Sequence, residues 1–228
     1  MTERARWWWG TAPSEIRGES TKQYSRQTLV FLGGDAREYP GGLLRLDPAR
    51  EAPHAVVSVD TFRPNVARMV VEGYGVDLIN DVGVSDESQH AMFRMVSNLR
   101  VPYIYMSRKS TMKEVMLDCA EAVDTLRSMG QKDIILDPGF GFGKTVAENY
   151  QIMGELERMQ ALRLPVLVGI SRKSMIWKQL CCTPDEALNG TTVLNTISLQ
   201  KGASILRVHD VREAMECVKL VAQLNKIK

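Results

Sequence analysis

The sequence predicts an α/β protein built as a (β/α)8 barrel of the TIM type, and three observations carry that reading. From about Ala55 onward, short apolar runs alternate with stretches of helical periodicity. The apolar runs are near-continuous rather than alternating, as parallel strands covered on both faces are. Polar and charged residues recur at the C-terminal ends of most of those runs, where a barrel gathers its site; this favours a barrel over an open sheet.

The first 54 residues do not share this rhythm. They hold Trp7, Trp8 and Trp9, many arginines, several glycines and prolines, and one convincing strand, TLVFL at 28–32. A boundary near Pro53 separates an atypical N-terminal segment, 1–54, with at most one or two barrel strands, from a barrel region, 55–228. The first two strands of the cylinder are therefore expected to be incomplete or irregular. After the boundary, strands are predicted for AVVSVD ending at Asp60, VDLIND at Asp81, PYIYM at Met106, DIILD at Asp137, PVLVGIS at Ser171 and SILRVHD at Asp210. Helical spacing is read between them at 65–72, 88–99, 111–129, 147–163, 188–201 and 212–226. In the last, Ala214, Cys217, Val218, Val221, Ala222 and Leu224 fall mostly on one stripe.

Composition narrows the class. With 228 residues, 44% hydrophobic and 25% charged, the chain can bury a large core. A net charge of +2 without a basic cluster interleaved with aromatics gives no reason to expect a nucleic-acid partner. No apolar run reaches membrane-spanning length and no secretory leader is read at the N-terminus, so no membrane partner is expected. Cys119, Cys181, Cys182 and Cys217 lack metal spacing and read as free thiols in a reducing cytoplasm.

The run LDPGFGFGKT, from Leu136 to Thr145, is the most informative feature. An acid at a strand end followed by alternating glycines would let a flat ligand approach the backbone. It is not a nucleotide P-loop, because Pro138 stands where that motif needs its first glycine. Other strand ends supply Asp60, Asn80, Ser171, Lys173, and Arg207 with His209 at i and i+2. Singly, Asp60 or Asn80 could cap a helix, Arg172 and Lys173 could be solvated, and His209 could be an interior histidine. Together they describe a site for a planar, donor-rich heterocycle carrying an anionic leaving group. Acids and an amide meet the ring's N–H groups, Lys173 donates to a ring atom, Arg207 stacks and meets phosphate, and His209 donates to a second phosphate oxygen. Phe142 walls an aromatic co-substrate.

SVDTFRPNVAR, INDV, ILDPGFGFGKT, PVLVGISRKSMI, LNGTTVLNT and ILRVHDVREA, in this order, closely resemble dihydropteroate synthase over about residues 55–228. The resemblance implies a barrel transferase of folate biosynthesis, usually a homodimer and a sulfonamide target. It implies condensation of 6-hydroxymethyl-7,8-dihydropterin pyrophosphate with p-aminobenzoate, with release of pyrophosphate aided by Mg²⁺. It also implies that Asp60, Asn80, Asp137 and Lys173 hold the pterin. Arg207 would stack on it and bind pyrophosphate with His209, and Ser171 and Phe142 would line the p-aminobenzoate site. Asp60, Asp137, Lys173 and Arg207 would carry the catalysis.

The departures lie upstream. The family's first-strand asparagine, which serves pyrophosphate and Mg²⁺, has no counterpart, so the metal ligand stays unknown. Gly18-Glu19-Ser20-Thr21-Lys22 is a fragmentary echo of a mobile-loop motif, and Tyr105 stands where the family has a histidine. Two alternatives follow. One is a pterin-binding homologue impaired in turnover; the other is a pterin methyl-transfer domain, which has no need of SRKS plus RVHD as a phosphate clamp.

Overall fold

The structure is a computed structural model that describes residues 6–10, 29–34, 56–83 and 86–226. Its strands are β1 (Arg6–Gly10), β2 (Leu29–Gly34), β3 (Val56–Asp60), β4 (Leu78–Asp81), β5 (Tyr103–Met106), β6 (Ile134–Asp137), β7 (Leu167–Val168) and β8 (Ile205–Val208). The helices are α1 (Pro64–Tyr74), α2 (Asp86–Leu99), α3 (Met112–Ser128), α4 (Val146–Gly154), α5 (Ser174–Trp177), α6 (Leu188–Gln200) and α7 (Val211–Lys226). The order across the sheet is β6-β5-β4-β3-β1-β2-β8-β7. Its two ends meet at a parallel bridge between Leu136 and Val166, where the Leu136 N–H donates to Pro165 O at 2.9 Å. A closed ring of strands with helices outside it is a TIM-type α/β barrel.

Strand alternation sorts the side chains into an inner and an outer set. Leu78, Ile104, Leu167 and Ile205, with half-buried Ile135, pack as one small cluster inside the ring. The outer faces, including Ile79, Tyr103, Leu136 and Leu206, join the helices in a much larger cluster. One register step toward the strands' C-terminal ends, the inner positions turn polar: Asp60, Asn80, Asp137 and Arg207. The apolar plug thus sits below and the site above.

The first strand is the irregularity. β1 pairs antiparallel with both β2 and β3, whereas β2 runs parallel to β8 and β3 to β4. Arg6 pairs with Asp60 at the mouth and Gly10 with Val56 at the far end. A residue at the C-terminal end of β1 therefore lies away from the site. The tryptophans with no reading in the sequence form this strand, and TLVFL becomes β2, starting one residue later.

Local chemistry sets several boundaries. α1 starts with Pro64, whose missing N–H costs nothing there, and ends at Gly75 in the left-handed region. Thr111 and Thr145 cap α3 and α4 with reciprocal bonds to Glu114 and Glu148. The helix read at 147–163 is two pieces: α4 stops at Gly154, and a 3-10 helix takes over at Leu156–Leu162. The short α5 after SRK was not legible as a helix.

Candidate active site

Asp60 and Asn80 are direct neighbours across β3 and β4. The Asn80 amide donates to Asp60 Oδ1 at 2.6 Å, and both residues are buried. A carboxylate only accepts, so this bond fixes which way the amide faces. Its Oδ1 is then left buried without a hydrogen-bond partner among the described residues. Asp60 does not cap α1, whose N-cap is Arg63, and Asn80 lies six residues before α2 begins at Asp86.

Asp137 ends β6 and is 1% exposed. Its Oδ1 accepts the Gly139 N–H at 2.7 Å and its Oδ2 accepts Arg207 Nη2 at 3.0 Å. Arg207, also buried, reaches it from β8 past Gly169, which follows β7. A side chain at Gly169 would bring its Cβ to 2.7 Å from Arg207 Nε, so the guanidinium needs a glycine beneath it.

The glycine loop serves its protein neighbours more than the expected close ligand approach. A Cβ at Gly139, where φ is +72°, would sit 2.1 Å from Ser107 O. At Gly141 it would meet Lys173 Cδ at 2.9 Å. Three side chains hold the loop from within the protein. The Gly141 N–H donates to buried Asn149 Oδ1 at 2.8 Å, the Lys173 ammonium donates to Phe140 O, and Lys144 donates to Gly139 O at 2.9 Å. Lys173 Nζ also lies 4.6 Å from the centre of the Phe142 ring, a cation–π contact.

Ser171 is buried, and its Oγ accepts the His209 N–H at 3.2 Å and lies 3.2 Å from His209 Nδ1. His209 reaches solvent. Desolvation still pushes its imidazole below the ordinary value, with Asp210 opposing and Arg172, Lys173 and Arg207 adding to the push. Arg172, for which a solvated charge was one alternative, clamps Asp210 through both carboxylate oxygens, at 2.9 and 2.7 Å. Its φ is +52° and its N–H donates to Thr191 Oγ1 at 3.0 Å. Tyr105 points outward, packed edge-on against Phe93 at 5.9 Å, and its hydroxyl accepts from Gln89 at 3.2 Å.

The structure thus joins Asp60 to Asn80, Asp137 to Arg207, Lys173 to Phe142 and Ser171 to His209, all at the C-terminal ends of their strands. Sequence reasoning missed Lys144, Asn149 and the Arg172–Asp210 clamp. A lysine and an asparagine flanking the Thr145 cap were the available signals for the first two.

Among the described residues no group of three or more His, Cys, Asp or Glu side chains could hold a metal ion. No described helix is long and apolar enough to cross a membrane. The sequence pattern of the family described as "pterin binding enzyme" matches residues 44–209. The dihydropteroate synthase of Clostridium beijerinckii is 36% identical over 173 residues, 72% of this chain and 64% of that one. The Escherichia coli K12 enzyme of the same name is 31% identical over 224 residues, 85% of this chain and 77% of that one. The chain therefore spans slightly under two thirds of the first of these relatives and about three quarters of the second. Among solved structures, the Coxiella burnetii dihydropteroate synthase in complex with pteroic acid superposes with a TM-score of 0.71 at 32% identity, covering 79% of this chain and 70% of that one. The Xanthomonas albilineans enzyme in complex with 7,8-dihydropteroate gives 0.68 at 32% identity, covering 74% and 68%. The family pattern over residues 44–209 and the identity to these relatives along most of the chain settle the family: it belongs to the pterin-binding enzymes, among the dihydropteroate synthases.

Proposed function

We propose that the chain is a transferase that condenses 6-hydroxymethyl-7,8-dihydropterin pyrophosphate with p-aminobenzoate, giving dihydropteroate and pyrophosphate. The observation that carries the reading is the unpaired, buried Asn80 Oδ1 beside Asp60, on the same strand-end level as Asp137. Buried acceptors of this kind suit the amino and ring N–H groups of a pterin, and an analogue without those donors would be rejected. Asp60, Asn80, Asp137 and Lys173 hold the ring. Arg207 stacks on it and, with His209, receives the pyrophosphate. Ser171 and Phe142 line the p-aminobenzoate side.

The chemistry follows from charge. The bond between the pterin methylene and the pyrophosphate oxygen breaks, and its electron pair leaves on the oxygen toward Arg207 and His209. Asp60 and Asp137 stabilise the positive charge left on the pterin. The aniline nitrogen of p-aminobenzoate then donates its lone pair to the methylene carbon and loses a proton. Fixed donors of this kind contribute about 3–4 kcal/mol each to a barrier.

Mg²⁺ is expected from the family, but the described residues do not fit it. The leaving-group side carries cations, and Mg²⁺ asks for carboxylate, carbonyl or water oxygens. A homodimer is part of the proposal, supported by exposed Val193 on α6 and by Leu220 and Leu224 on α7. A cytoplasmic location is supported by the free thiols.

The reversed β1 favours a second reading, a homologue that binds pterin with impaired turnover. Pyrophosphate release from both substrates with Mg²⁺ present, measured beside pterin binding, separates the two. Release that depends on p-aminobenzoate supports the transferase. Pterin binding without release retires it in favour of the second reading.

A further inference from the structure

Lys144 has no part in the chemistry above, yet its half-buried ammonium is held by backbone carbonyls. Its ammonium donates to Gly139 O at 2.9 Å and Ser107 O at 3.3 Å, with a longer contact to Phe142 O at 3.5 Å. An ammonium has three donors and no acceptor, so three carbonyls match its full capacity. The acceptors come from two places: Ser107 follows β5, and Gly139 and Phe142 belong to the glycine loop. Lys173 takes the intervening carbonyl, Phe140 O, and Asn149 takes the Gly141 N–H.

We propose that Lys144 is a positioning residue, an internal cation that ties the glycine loop to the end of β5 and so sets Phe142 for p-aminobenzoate. The identity of that substrate rests on the function proposed above; the tie itself does not.

The surroundings of the ammonium are consistent with such a role. Burial pulls Lys144 down to about 8; Asp137 on β6 opposes this, Arg108 after β5 adds to it, and Asp118 on α3 and Glu148 on α4 hold the proton on. Loss of that proton leaves two donors for three carbonyls. The tie therefore loosens as pH rises through about 8.

The test uses the full chain and two variants, Lys144→Ala and Lys144→Arg, with ethylammonium as the probe and sodium chloride at equal ionic strength as its control. Lys144→Ala is expected to exchange the amides of residues 139–143 roughly tenfold faster and to raise KM for p-aminobenzoate roughly tenfold, the equivalent of a net hydrogen bond or so. Pterin affinity should change by less than about threefold, and ethylammonium should restore both losses toward wild type. Exchange and KM that match wild type overturn the proposal, as does loosening that ethylammonium fails to reverse. Lys144→Arg covers the case in which the alanine variant does not fold. Its guanidinium stays charged, so the rise in KM across pH 8 expected of the wild type should vanish; an unchanged pH profile overturns the tie. A wild-type chain that binds no pterin retires the functional reading instead, and the exchange result still decides the tie.

Discussion

On the β6–β8 side of the barrel mouth, Asp137 is engaged through both oxygens, the glycine loop is gripped by two ammonium groups, and Arg172 clamps Asp210. On the β3–β4 side, a 2.6 Å bond joins Asp60 to Asn80, and the Asn80 Oδ1 has no hydrogen-bond partner among the described residues. The first side is a braced electrostatic frame that keeps cations and a carboxylate in fixed positions. The second leaves a buried acceptor unsatisfied among the described residues. Charge stabilisation needs a frame that does not reorganise, and recognition needs groups that are satisfied only when the right partner arrives.

The largest effect should come from breaking the frame at its buried pair. Arg207→Met leaves the Asp137 carboxylate buried without its guanidinium and should cost about 3–5 kcal/mol of stability, read from denaturant midpoints. Asn80→Leu removes one neutral donor and one unsatisfied acceptor together, and should cost only about 1–2 kcal/mol. Equal losses would show that the two sides are not braced differently.

A smaller effect belongs to the Arg172–Asp210 clamp. Its hydrogen bonds hold the Asp210 carboxyl below the usual carboxylate range. The folded value lies under the unfolded one, so the pair's stabilisation is present at neutral pH and is lost as pH falls through the folded value. Asp210→Asn should therefore cost about 1 kcal/mol at pH 7, with the difference from wild type shrinking in acid. A cost that grows in acid would mean the pair does not stabilise the fold.

The same contrast explains what the sequence could show. Asp60, Asn80, Asp137 and Arg207 were legible because strand ends and a period of two place them on the inner face, one level above Leu78, Ile104 and Ile205. The frame was not. Lys144 and Arg172 are ordinary charges until their carbonyl and carboxylate partners, from segments distant in sequence, are brought together by the fold. The direction of β1 was equally hidden, because strand periodicity does not encode whether a strand runs with or against its neighbours. The 3-10 segment at Leu156–Leu162 kept a helix-like apolar pattern, which is why one helix was expected over both pieces.

The central claim is that carboxylates and an amide at separate strand ends receive one flat, donor-rich bicyclic ring. Calorimetry with 6-hydroxymethylpterin, on wild type beside Asp137→Asn, tests it most directly. Wild type should show one site per chain and the variant a loss of roughly a hundredfold or more, since a hydrogen-bonded charged acceptor contributes about 3 kcal/mol in a buried site. Wild-type affinity in the variant would contradict it.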